Sequence, residues 1–456
     1  MALVPPIDAV YLWGETDDSP SHVVALQIFK PPPGADDGHL DDLYARMTDS
    51  TQVKPAFRRT PRRSIRTAGM FEWAVVDDID LAQHVRRTAV PAPGRIRELL
   101  EEVAAFHEIP LPRDRPLWEA RLVDGLEDGR FALLTKMHHS QFDGINMGRH
   151  LLGGLAPHPA HRGCTAPWIV SGAASPSGEA VRSTAKAASL TRPTSWTALP
   201  QSLVRGAGRF ARSRPRPFEA PMTPLNGRVS PRRRFAGDAW PTARLRAVAR
   251  AADVSANDVA IAMCAGALRA YLEEIGVVLD RSLVAMVPVS FDPTRGGEAV
   301  SGNAWAATLC DLATDVVEAG TRLRQISASM TDRKRGLADL DPVAANVLSA
   351  LTIGGAVANL VPGLPPLPRP PFNLIVSSVP SVDRTLYLDG SELTDNYPVS
   401  VVVDGQALNI TTVSYVDRIA FGITGCAESV PHLQRLLVHL EDALVELEKI
   451  FAPEPV

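Results

Sequence analysis

The sequence predicts an α/β protein made of two units packed against each other. Strand-like and helix-like apolar patterns are mixed in both halves of the chain. A stretch rich in Ala, Ser, Pro and Gly separates the halves and lacks long apolar periodicity, which is typical of an interdomain linker. The 456 residues also exceed what one ordinary core accommodates. We therefore expect domains at 1–165 and 226–456, joined by a linker at 166–225.

The first half begins with "MALVPPIDAVYLWGETDD", which lacks the basic and apolar regions of a secretory signal. We interpret it as the first strand or turn of the fold. Apolar spacing then predicts strands near 22–29 and 130–138, and helices near 40–51 and 96–106. After Asp143, which is placed to cap it, a short helix is expected to run to about Leu152.

The second half opens with Ser255 and Asn257 ahead of a long apolar helical segment. Gly, Pro, Asn or Asp residues bound several later runs, which we predict to be strands. These runs are "SLVAMVPVSF", "FNLIVSSVP", "YPVSVVVDG", "ALNITTVSYV" and "RIAFGIT". A helix over 430–450 is expected to close the chain.

Charge and cysteine content narrow the cellular setting. The net charge is −4, although residues 162–234 hold thirteen Arg or Lys against two acids. An acidic chain without an aromatic-interleaved basic motif disfavours nucleic acid as a partner. The four cysteines are scattered, which favours a reducing cytoplasm. The uncharged segment 342–368 is interrupted by Pro and Gly, so we predict a buried or interfacial segment rather than a membrane span.

Several enzyme classes lose their sequence support. No G-x-S-x-G motif is present, which disfavours a nucleophile-elbow hydrolase. The chain contains no Gly-Lys dipeptide, so a Walker A loop is excluded, and it has neither a dinucleotide Gly fingerprint nor H-E-x-x-H. The strongest chemical signal that remains is a pair of adjacent histidines.

The pair lies in "KMHHSQFDGINMGRHLLGG", at the end of a predicted strand. A strand alternates its faces, so only one of His138 and His139 is expected to enter a given pocket. A neutral imidazole there accepts a proton as general base, and Asp143 with Gly144 would hold the turn behind it. Two other interpretations stay open. The histidines can be strand-end residues with Asp143 a simple N-cap, or a metal can use His138, His139, Asp143 and His150.

The segment His138-His139-Ser140-Gln141-Phe142-Asp143-Gly144 fits H-H-x-x-x-D-G, the signature of acyltransferases built like chloramphenicol acetyltransferase. The family pattern also appears, in family order, in Pro116-Leu117-Trp118 ahead of this motif and in "TPLNGRVSPRRRFA", Asn257-Asp258, "VPVSFDP", "FNLIVSSVP" and "YPVSVVVDGQALNITTVSY" after it. The chain thereby resembles the bacterial wax ester synthase/diacylglycerol acyltransferase family over nearly its whole length. It departs from the pattern at Ser381, where glycine is expected.

The resemblance implies two chloramphenicol acetyltransferase-like domains, each a mixed sheet flanked by helices, with the active site in a tunnel at their interface. It implies acyl transfer from acyl-CoA to diacylglycerol or a long-chain alcohol, with no acyl-enzyme and no cofactor or metal. The second histidine, His139, would be the base, with His138 beside it and Asp143 mainly structural. A related enzyme acting on another lipid or polyketide alcohol, and a weakly active lipid-binding protein, are the alternatives.

Supporting roles are expected in both halves. Ser377, Ser378 and Asn257 are candidate oxyanion donors, although strand hydroxyls often bond to neighbouring groups and Asn257 is also placed to cap its helix. Pro116, Leu117 and Trp118 are expected to pack, and Asp258 and Gly144 to support the site. Arg58, Arg59, Arg62 and Arg63 are expected to bind CoA phosphates or an anionic membrane, unless they form a solvated loop. We expect a cytoplasmic protein attached peripherally to a membrane or lipid droplet.

Overall fold

The computed structural model describes residues 2–49, 52–63, 67–142, 144–161, 166–170, 215–216, 218–290, 305–338 and 369–452. The first half contains α1 (Pro6–Gly14), α2 (His39–Thr48), α3 (Ile96–Glu108), α4 (Gly144–Leu152), β1 (Ala2–Leu3), β2 (His22–Lys30), β3 (Arg59–Arg63), β4 (Phe71–Val75), β5 (Val85–Ala89), β6 (Trp118–Asp124) and β7 (Phe131–His138). The second half contains α5 (Thr242–Ala252), α6 (Ala256–Glu274), α7 (Ala319–Ala338), α8 (Arg435–Phe451), β8 (Arg233–Pro241), β9 (Val284–Ser290), β10 (Trp305–Asp311), β11 (Leu374–Val382), β12 (Tyr387–Leu388), β13 (Ser391–Val399), β14 (Leu408–Tyr415) and β15 (Arg418–Cys426).

The first large sheet, called here the N-terminal sheet, has the strand order β12-β13-β2-β7-β6-β5. Strand β5 runs parallel to β6, and the other neighbours are antiparallel. Its central strands β2 and β7 are almost entirely buried, which explains their nearly continuous apolar sequences. Helices α2 and α4 cover one face through Leu43, Met47 and Leu151, and α3 lies on the other.

The second large sheet, called here the C-terminal sheet, has the order β10-β9-β11-β14-β15-β8. Strand β11 runs parallel to both β9 and β14, so this sheet is mixed as well. Helices α5 to α8 pack on one face through a large apolar cluster. Helix α6 begins with a capping box in which Ser255 and Asp258 satisfy each other's backbone N–H groups.

Strands β12 and β13 belong to the N-terminal sheet although their residues lie far along the second half. Strand β13 pairs with β2 from Glu392↔Lys30 to Val399↔Val24. The polypeptide then returns to the C-terminal sheet with β14 and β15. The chain thus crosses from the C-terminal sheet to the N-terminal sheet and back, so covalent connections as well as packing join the two sheets. We call β13, the second-half strand that pairs with β2, the exchanged strand.

Two glycines allow this exchanged strand to lie close against the C-terminal sheet. A Cβ added at Gly422 of β15 would stand closer than 2 Å to the carbonyl oxygen of Pro398, and one at Gly237 of β8 would reach the Tyr397 ring at 2.9 Å. Around them, Leu26 and Leu134 of one sheet and Val413 of the other share an apolar cluster. Glycine is needed here for close backbone approach.

Polar contacts also cross between the sheets. Arg233, the first residue of β8, is buried, and its guanidinium donates to the carbonyl of Asp18 at 2.7 Å. Its backbone N–H donates to the carboxylate of Glu108 at 2.7 Å. The loop after α1 and the end of α3 are thereby tied to the C-terminal sheet.

Most of the predicted elements are confirmed, including both mixed sheets and the helix behind the histidine pair. The N-terminal prediction of a strand or turn is confirmed only for Ala2–Leu3; Pro6–Gly14 is instead a helix with proline in its first turn, where the missing N–H costs nothing. The strand predicted at "YPVSVVVDG" begins earlier, at Ser391, and ends at Val399. At Ser381, where the family pattern has glycine, β11 continues to Val382 with a register shift after Val379.

Other predictions fall partly or wholly outside the described residues. These are the uncharged segment 342–368, Asp143 and most of the linker at 166–225. Within that linker Trp168 is described, and it stacks on Trp118 in the core of the N-terminal sheet at a centroid distance of 4.9 Å. Among the described helices no single one is long and apolar enough to cross a bilayer, and α5 with α6 pass that test only together, across a bend of 102°.

Replacing Gly422 with Ala tests the close approach of the exchanged strand. We expect Gly422→Ala to lower the free energy of unfolding by about 1–3 kcal/mol, because the new methyl group meets a backbone carbonyl that cannot rotate away. Denaturant unfolding measures the change. The matched control is Gly336→Ala in α7, where a Cβ meets nothing within 4 Å and about 0.5–1 kcal/mol of stabilisation is expected. Equal effects of the two substitutions would contradict the prediction.

Candidate active site

The histidine pair lies where the central strand of the N-terminal sheet ends. Strand β7 finishes at His138, whose backbone N–H donates to the carbonyl of Leu117 at 3.1 Å. His139 lies beyond the strand, and its N–H donates to the carbonyl of Ser21 at 2.9 Å. Strand alternation therefore does not set the direction of His139; backbone contacts on both sides of β7 do.

His138 is fully buried, and its hydrogen bonds indicate which ring nitrogen carries the proton. The Ser140 backbone N–H donates to Nδ1 at 3.2 Å, and the Ser140 hydroxyl lies 2.7 Å from the same atom. Since Nδ1 accepts, the proton of the neutral ring is on Nε2. Nε2 lies 3.3 Å from Oε1 of Glu15, an ion-pair distance that is long for a hydrogen bond.

Glu15, at the C-terminal end of α1, is the buried anion beside His138. Its carboxylate accepts the Ser21 N–H at 2.9 Å and a guanidinium N–H of Arg113 at 2.8 Å. Burial alone would raise the pKa of Glu15, but His138, Ser21 and Arg113 outweigh it and lower that pKa to about 2. The group is therefore ionised at any pH near neutrality.

His139 is half-buried and stacks on Tyr11 of α1, with ring centroids 4.2 Å apart and an interplanar angle of 19°. Its Nδ1 is buried, and no described residue meets hydrogen-bond geometry with it. Burial lowers the pKa of His139 to about 4; a contact with its own backbone opposes this, and His138 adds to it. The ring is therefore neutral at pH 7 and able to accept a proton.

A group of buried polar side chains, called here the polar seam, continues from His138 between the sheets: His22, His107 and Lys136. A ring nitrogen of His22 lies 2.8 Å from the carbonyl of His107, and Nζ of Lys136 donates to the carbonyl of Ile109 at 2.8 Å. Burial lowers the pKa of His22 far below its ordinary value, that of His107 to about 3 and that of Lys136 to about 8.

Pro116, Leu117 and Trp118 form part of the core, as the packing interpretation predicts. Trp118 is buried between Trp168 and His84, and its indole N–H donates to the carbonyl of Phe57 at 2.9 Å. The carbonyl of Leu117 accepts the backbone N–H of His138, and the carbonyl of Pro116 accepts the backbone N–H of Trp118. The motif thus fixes the strand end that presents the histidines.

The residues proposed from the second half separate into two groups. Ser255, not Asn257, caps α6, so the expected capping role of Asn257 is wrong; Asp258 completes the capping box and accepts from Ser327 at 3.2 Å. No contact in the described structure joins Asn257 or Asp258 to His139.

Ser377 and Ser378 lie on β11, next to Val379, whose side chain lies 3.7 Å from a Cβ built on Gly148 of α4. Strand β11 therefore faces the helix that follows the histidine motif.

The hydroxyl of Ser377 is already engaged. It lies 2.8 Å from the hydroxyl of Thr411, which itself donates to the side-chain oxygen of Asn409 at 2.9 Å. Because Thr411 uses its own proton on Asn409, it accepts the proton of Ser377. Ser378 is exposed, and no described residue bonds its hydroxyl.

The predicted basic patch is divided by the structure. Arg58 is half-buried and donates to the carbonyls of Val76 and Asp77, so it closes a turn. Arg59, Arg62 and Arg63 of β3 are exposed, and Arg63 lies over the Phe71 ring at 4.3 Å. The same small sheet exposes Leu3, which is 61% exposed, and Trp13 of α1 packs near Phe71 while staying 43% exposed.

The metal alternative requires residues that the structure places in different surroundings. His138 contacts Glu15, His139 stacks on Tyr11, and the His150 ring packs edge-on against Phe57 and Phe142. Among the residues that the structure describes, no three His, Cys, Asp or Glu side chains converge as a metal site would require. Asp143 lies outside those residues.

Sequence reasoning missed three neighbours of the histidine pair: Tyr11, Glu15 and Ser21. All precede or begin β2, whereas the histidines follow β7, so the contacts depend on the antiparallel pairing that places His22 opposite His138. The available signal was the i, i+4 spacing of Tyr11 and Glu15, which places them on one face of a helix. A strand or turn, which the sequence analysis predicts for that stretch, has no such face.

Two mixed sheets with helices on their outer faces, and a histidine pair at the end of a central strand, define the two-domain, chloramphenicol acetyltransferase-like class of acyltransferases. The sequence profile of the wax ester synthase/diacylglycerol acyltransferase catalytic domain matches residues 4–260, and that of the C-terminal domain of these enzymes matches residues 301–448. The chain belongs to this family, and it is an O-acyltransferase.

Individual relatives agree with this assignment. Two proteins of Mycobacterium tuberculosis that bear the name diacylglycerol O-acyltransferase are 41% identical over 450 residues and 39% identical over 465. These alignments cover 97% and 98% of this chain and 99% of each relative. The wax ester synthase/diacylglycerol acyltransferase of Marinobacter aquaeolei VT8 superposes with a TM-score of 0.77 at 34% identity, over 98% of this chain and 99% of that one.

A more distant structure shares the fold alone. The first condensation domain of the calcium-dependent antibiotic synthetase superposes with a TM-score of 0.60 at 16% identity, over 100% of this chain and 97% of that one.

The polar seam makes stability depend on pH. The pKa of His107 is about 3 when folded and near 6.5 when unfolded, so its contribution is complete above pH 6.5 and is lost as pH falls toward 3. At pH 5 this histidine alone lowers the free energy of unfolding by about 2 kcal/mol relative to pH 7.5. We therefore expect the loss of unfolding free energy between pH 7.5 and 5.0 to shrink by that amount in His107→Gln. Parallel pH dependences of variant and wild type would show that His107 is not a buried neutral base.

Proposed function

We propose that this enzyme transfers a fatty acyl group from acyl-CoA to the hydroxyl of diacylglycerol, giving triacylglycerol, or of a long-chain alcohol, giving wax ester. The observation that supports this most directly is the state of His139: a neutral, half-buried imidazole beside the helix that faces β11. The names of the relatives favour diacylglycerol as the acceptor. Acyl-CoA is a co-substrate in this proposal, and no cofactor takes part.

The proposed chemistry needs one base and no covalent intermediate. His139 takes the hydroxyl proton while the oxygen forms a bond to the thioester carbonyl carbon, which gives a tetrahedral oxyanion. Collapse of this species breaks the carbon–sulfur bond, and the thiolate takes the proton back from the imidazolium. The ester and free CoA leave, and His139 is neutral again.

The oxyanion requires a hydrogen-bond donor, which typically contributes about 3–4 kcal/mol to the transition state. Of the proposed donors, Ser377 shares the face of β11 with Val379, but its proton is used by Thr411; Ser378 has no described hydrogen-bond partner, but it lies on the opposite face of the strand. Asn257 fits least, since its helix terminus is closed by Ser255 and Asp258.

The active site proposed here is a tunnel between the two lobes, open to both substrates.

Replacing His139 with Ala tests the base. We expect His139→Ala to lower kcat by about 10²- to 10⁴-fold, because no other group takes the hydroxyl proton. The assay uses radiolabelled palmitoyl-CoA with diacylglycerol, hexadecanol or glycerol as acceptor. His161→Ala, which removes an exposed histidine, is the matched control and should retain full activity.

Either of two outcomes counts against this function. Turnover of His139→Ala within a few-fold of wild type would remove His139 as the base. Wild-type protein that forms no product with either lipid acceptor would favour another lipid or polyketide alcohol as acceptor, or a lipid-binding role.

We also propose that the enzyme is cytoplasmic and meets its lipid acceptor by peripheral attachment to a membrane or lipid droplet. The small sheet that supports this exposes Arg59, Arg62 and Arg63 of β3 and Leu3 of β1, and Trp13 of α1 is exposed beside it. Basic residues near an anionic surface contribute roughly 1 kcal/mol each, and apolar side chains insert between headgroups. Glu72, opposite Arg62 in the sheet, offsets part of this charge.

Vesicle binding tests the attachment. Changing Arg59, Arg62 and Arg63 together to Gln should weaken co-sedimentation with phosphatidylserine-containing liposomes by about 10- to 100-fold at low salt. The control changes Arg97, Arg281 and Arg435 to Gln, which alters net charge equally but elsewhere. Equal loss in both triple variants, or binding by wild type that does not respond to salt, would contradict a local electrostatic contact.

A further inference from the structure

One face at the end of α1 contacts both histidines. Tyr11 and Glu15 are four residues apart and therefore lie on the same side of the helix and its C-terminal end. Tyr11 stacks on the His139 ring, and the Glu15 carboxylate lies 3.3 Å from Nε2 of His138. This face and the end of β7 are far apart in sequence, so the contact exists only in the folded protein.

A single carboxylate oxygen of Glu15 serves both histidines by different routes. Oε1 is the atom nearest to Nε2 of His138, and Oε1 also accepts the N–H of Ser21 at 2.9 Å. The carbonyl of Ser21 then accepts the N–H of His139 at 2.9 Å. Because β7 ends at His138, no strand pairing fixes His139, and this relay supplies the missing constraint.

Glu15 is itself held firmly. Its side chain is only 6% exposed, and its other oxygen, Oε2, accepts from Arg113, which also donates to the carbonyl of Leu12 at 2.8 Å. Three residues further on, the carbonyl of Asp18 is bound by Arg233 of the C-terminal sheet. The loop between α1 and β2 is thus anchored on both lobes, which keeps the carboxylate aimed.

We propose that Glu15 is a positioning residue for the histidine pair: it holds the proton of His138 on Nε2 and, through Ser21, fixes the backbone of His139. The inference rests on the proposed acyl transfer for its effect on rate, but the placement of the proton does not. The Glu15 carboxylate beside Nε2 favours a proton on that nitrogen, and the Ser140 groups beside Nδ1 favour the same tautomer of His138. Removing the carboxylate therefore removes one of two restraints on the tautomer.

Glu15→Gln is the informative substitution. Glutamine keeps the length of the side chain and an oxygen for the Ser21 N–H, but it loses the negative charge and with it the attraction to Arg113. We expect kcat to fall by about 10- to 100-fold with the KM for acyl-CoA changed less than twofold, because the reacting ring is misplaced while the substrates still bind. Asp124→Asn, which removes the carboxylate partner of Arg87 at the opposite end of the same sheet, is the control and should keep wild-type kcat.

A double-mutant cycle separates positioning from a general structural role. If Glu15 acts through His138, the variant carrying Glu15→Gln and His138→Gln should be no slower than the slower single variant. Additive losses in the cycle would overturn the inference. So would a wild-type kcat in Glu15→Gln.

Nitrogen chemical shifts of selectively ¹⁵N-labelled histidines provide a readout that needs no turnover. The wild-type signal of His138, assigned by its loss in His138→Gln, should show the Nε2–H form, and Glu15→Gln should move it toward a mixture of tautomers. An unchanged tautomer in a folded Glu15→Gln protein would overturn the inference. This measurement stands even if wild type acylates neither lipid acceptor, a result that would reject the proposed function alone.

Discussion

The structure depends on the pairing of β13 with β2. This pairing completes the sheet whose central strand, β7, ends at the histidine pair, and it uses residues from late in the second half. The first half therefore does not complete its sheet alone, and the geometry around His139 depends on the docking of the two lobes. Gly422 and Gly237 make that docking close, and Arg233 adds a buried polar contact to the loop beside the histidine pair.

The region between the lobes combines apolar packing with an unusual number of buried ionisable groups. His22, His107, Lys136 and Glu15 all lose water, which is costly unless each charge is paired or each base stays neutral. Both solutions are present. Glu15 is ionised and paired with Arg113, whereas burial keeps His22 and His107 neutral. Their neutrality avoids positive charge close to Lys136 and Arg233.

Much of the fold and one half of the site follow from the sequence. Apolar periodicity identifies β2, β7, α3 and α6 because these elements are buried in a regular pattern. The histidine motif and the Pro-Leu-Trp segment are local in sequence, and they lie at the end of β7 and the start of β6, where the sequence places them. Tyr11, Glu15 and Ser21 were not predicted, because their role arises from a tertiary contact. The exchange of β13 was equally hidden, since local patterns specify a strand but not its partner.

The surroundings of His139 impose a requirement on catalysis. Burial keeps the imidazole of His139 neutral, so the ring is ready to accept a proton. The same burial raises the free energy of the imidazolium that forms when the ring accepts it. The penalty falls if negative charge lies nearby at that moment. The oxyanion formed in the proposed reaction supplies one such charge beside the ring, and the ionised Glu15 supplies a permanent one through the His138 contact. In the proposed reaction, the buried carboxylate next to His138 would therefore also offset part of the cost of protonating His139 while the hydroxyl loses its proton.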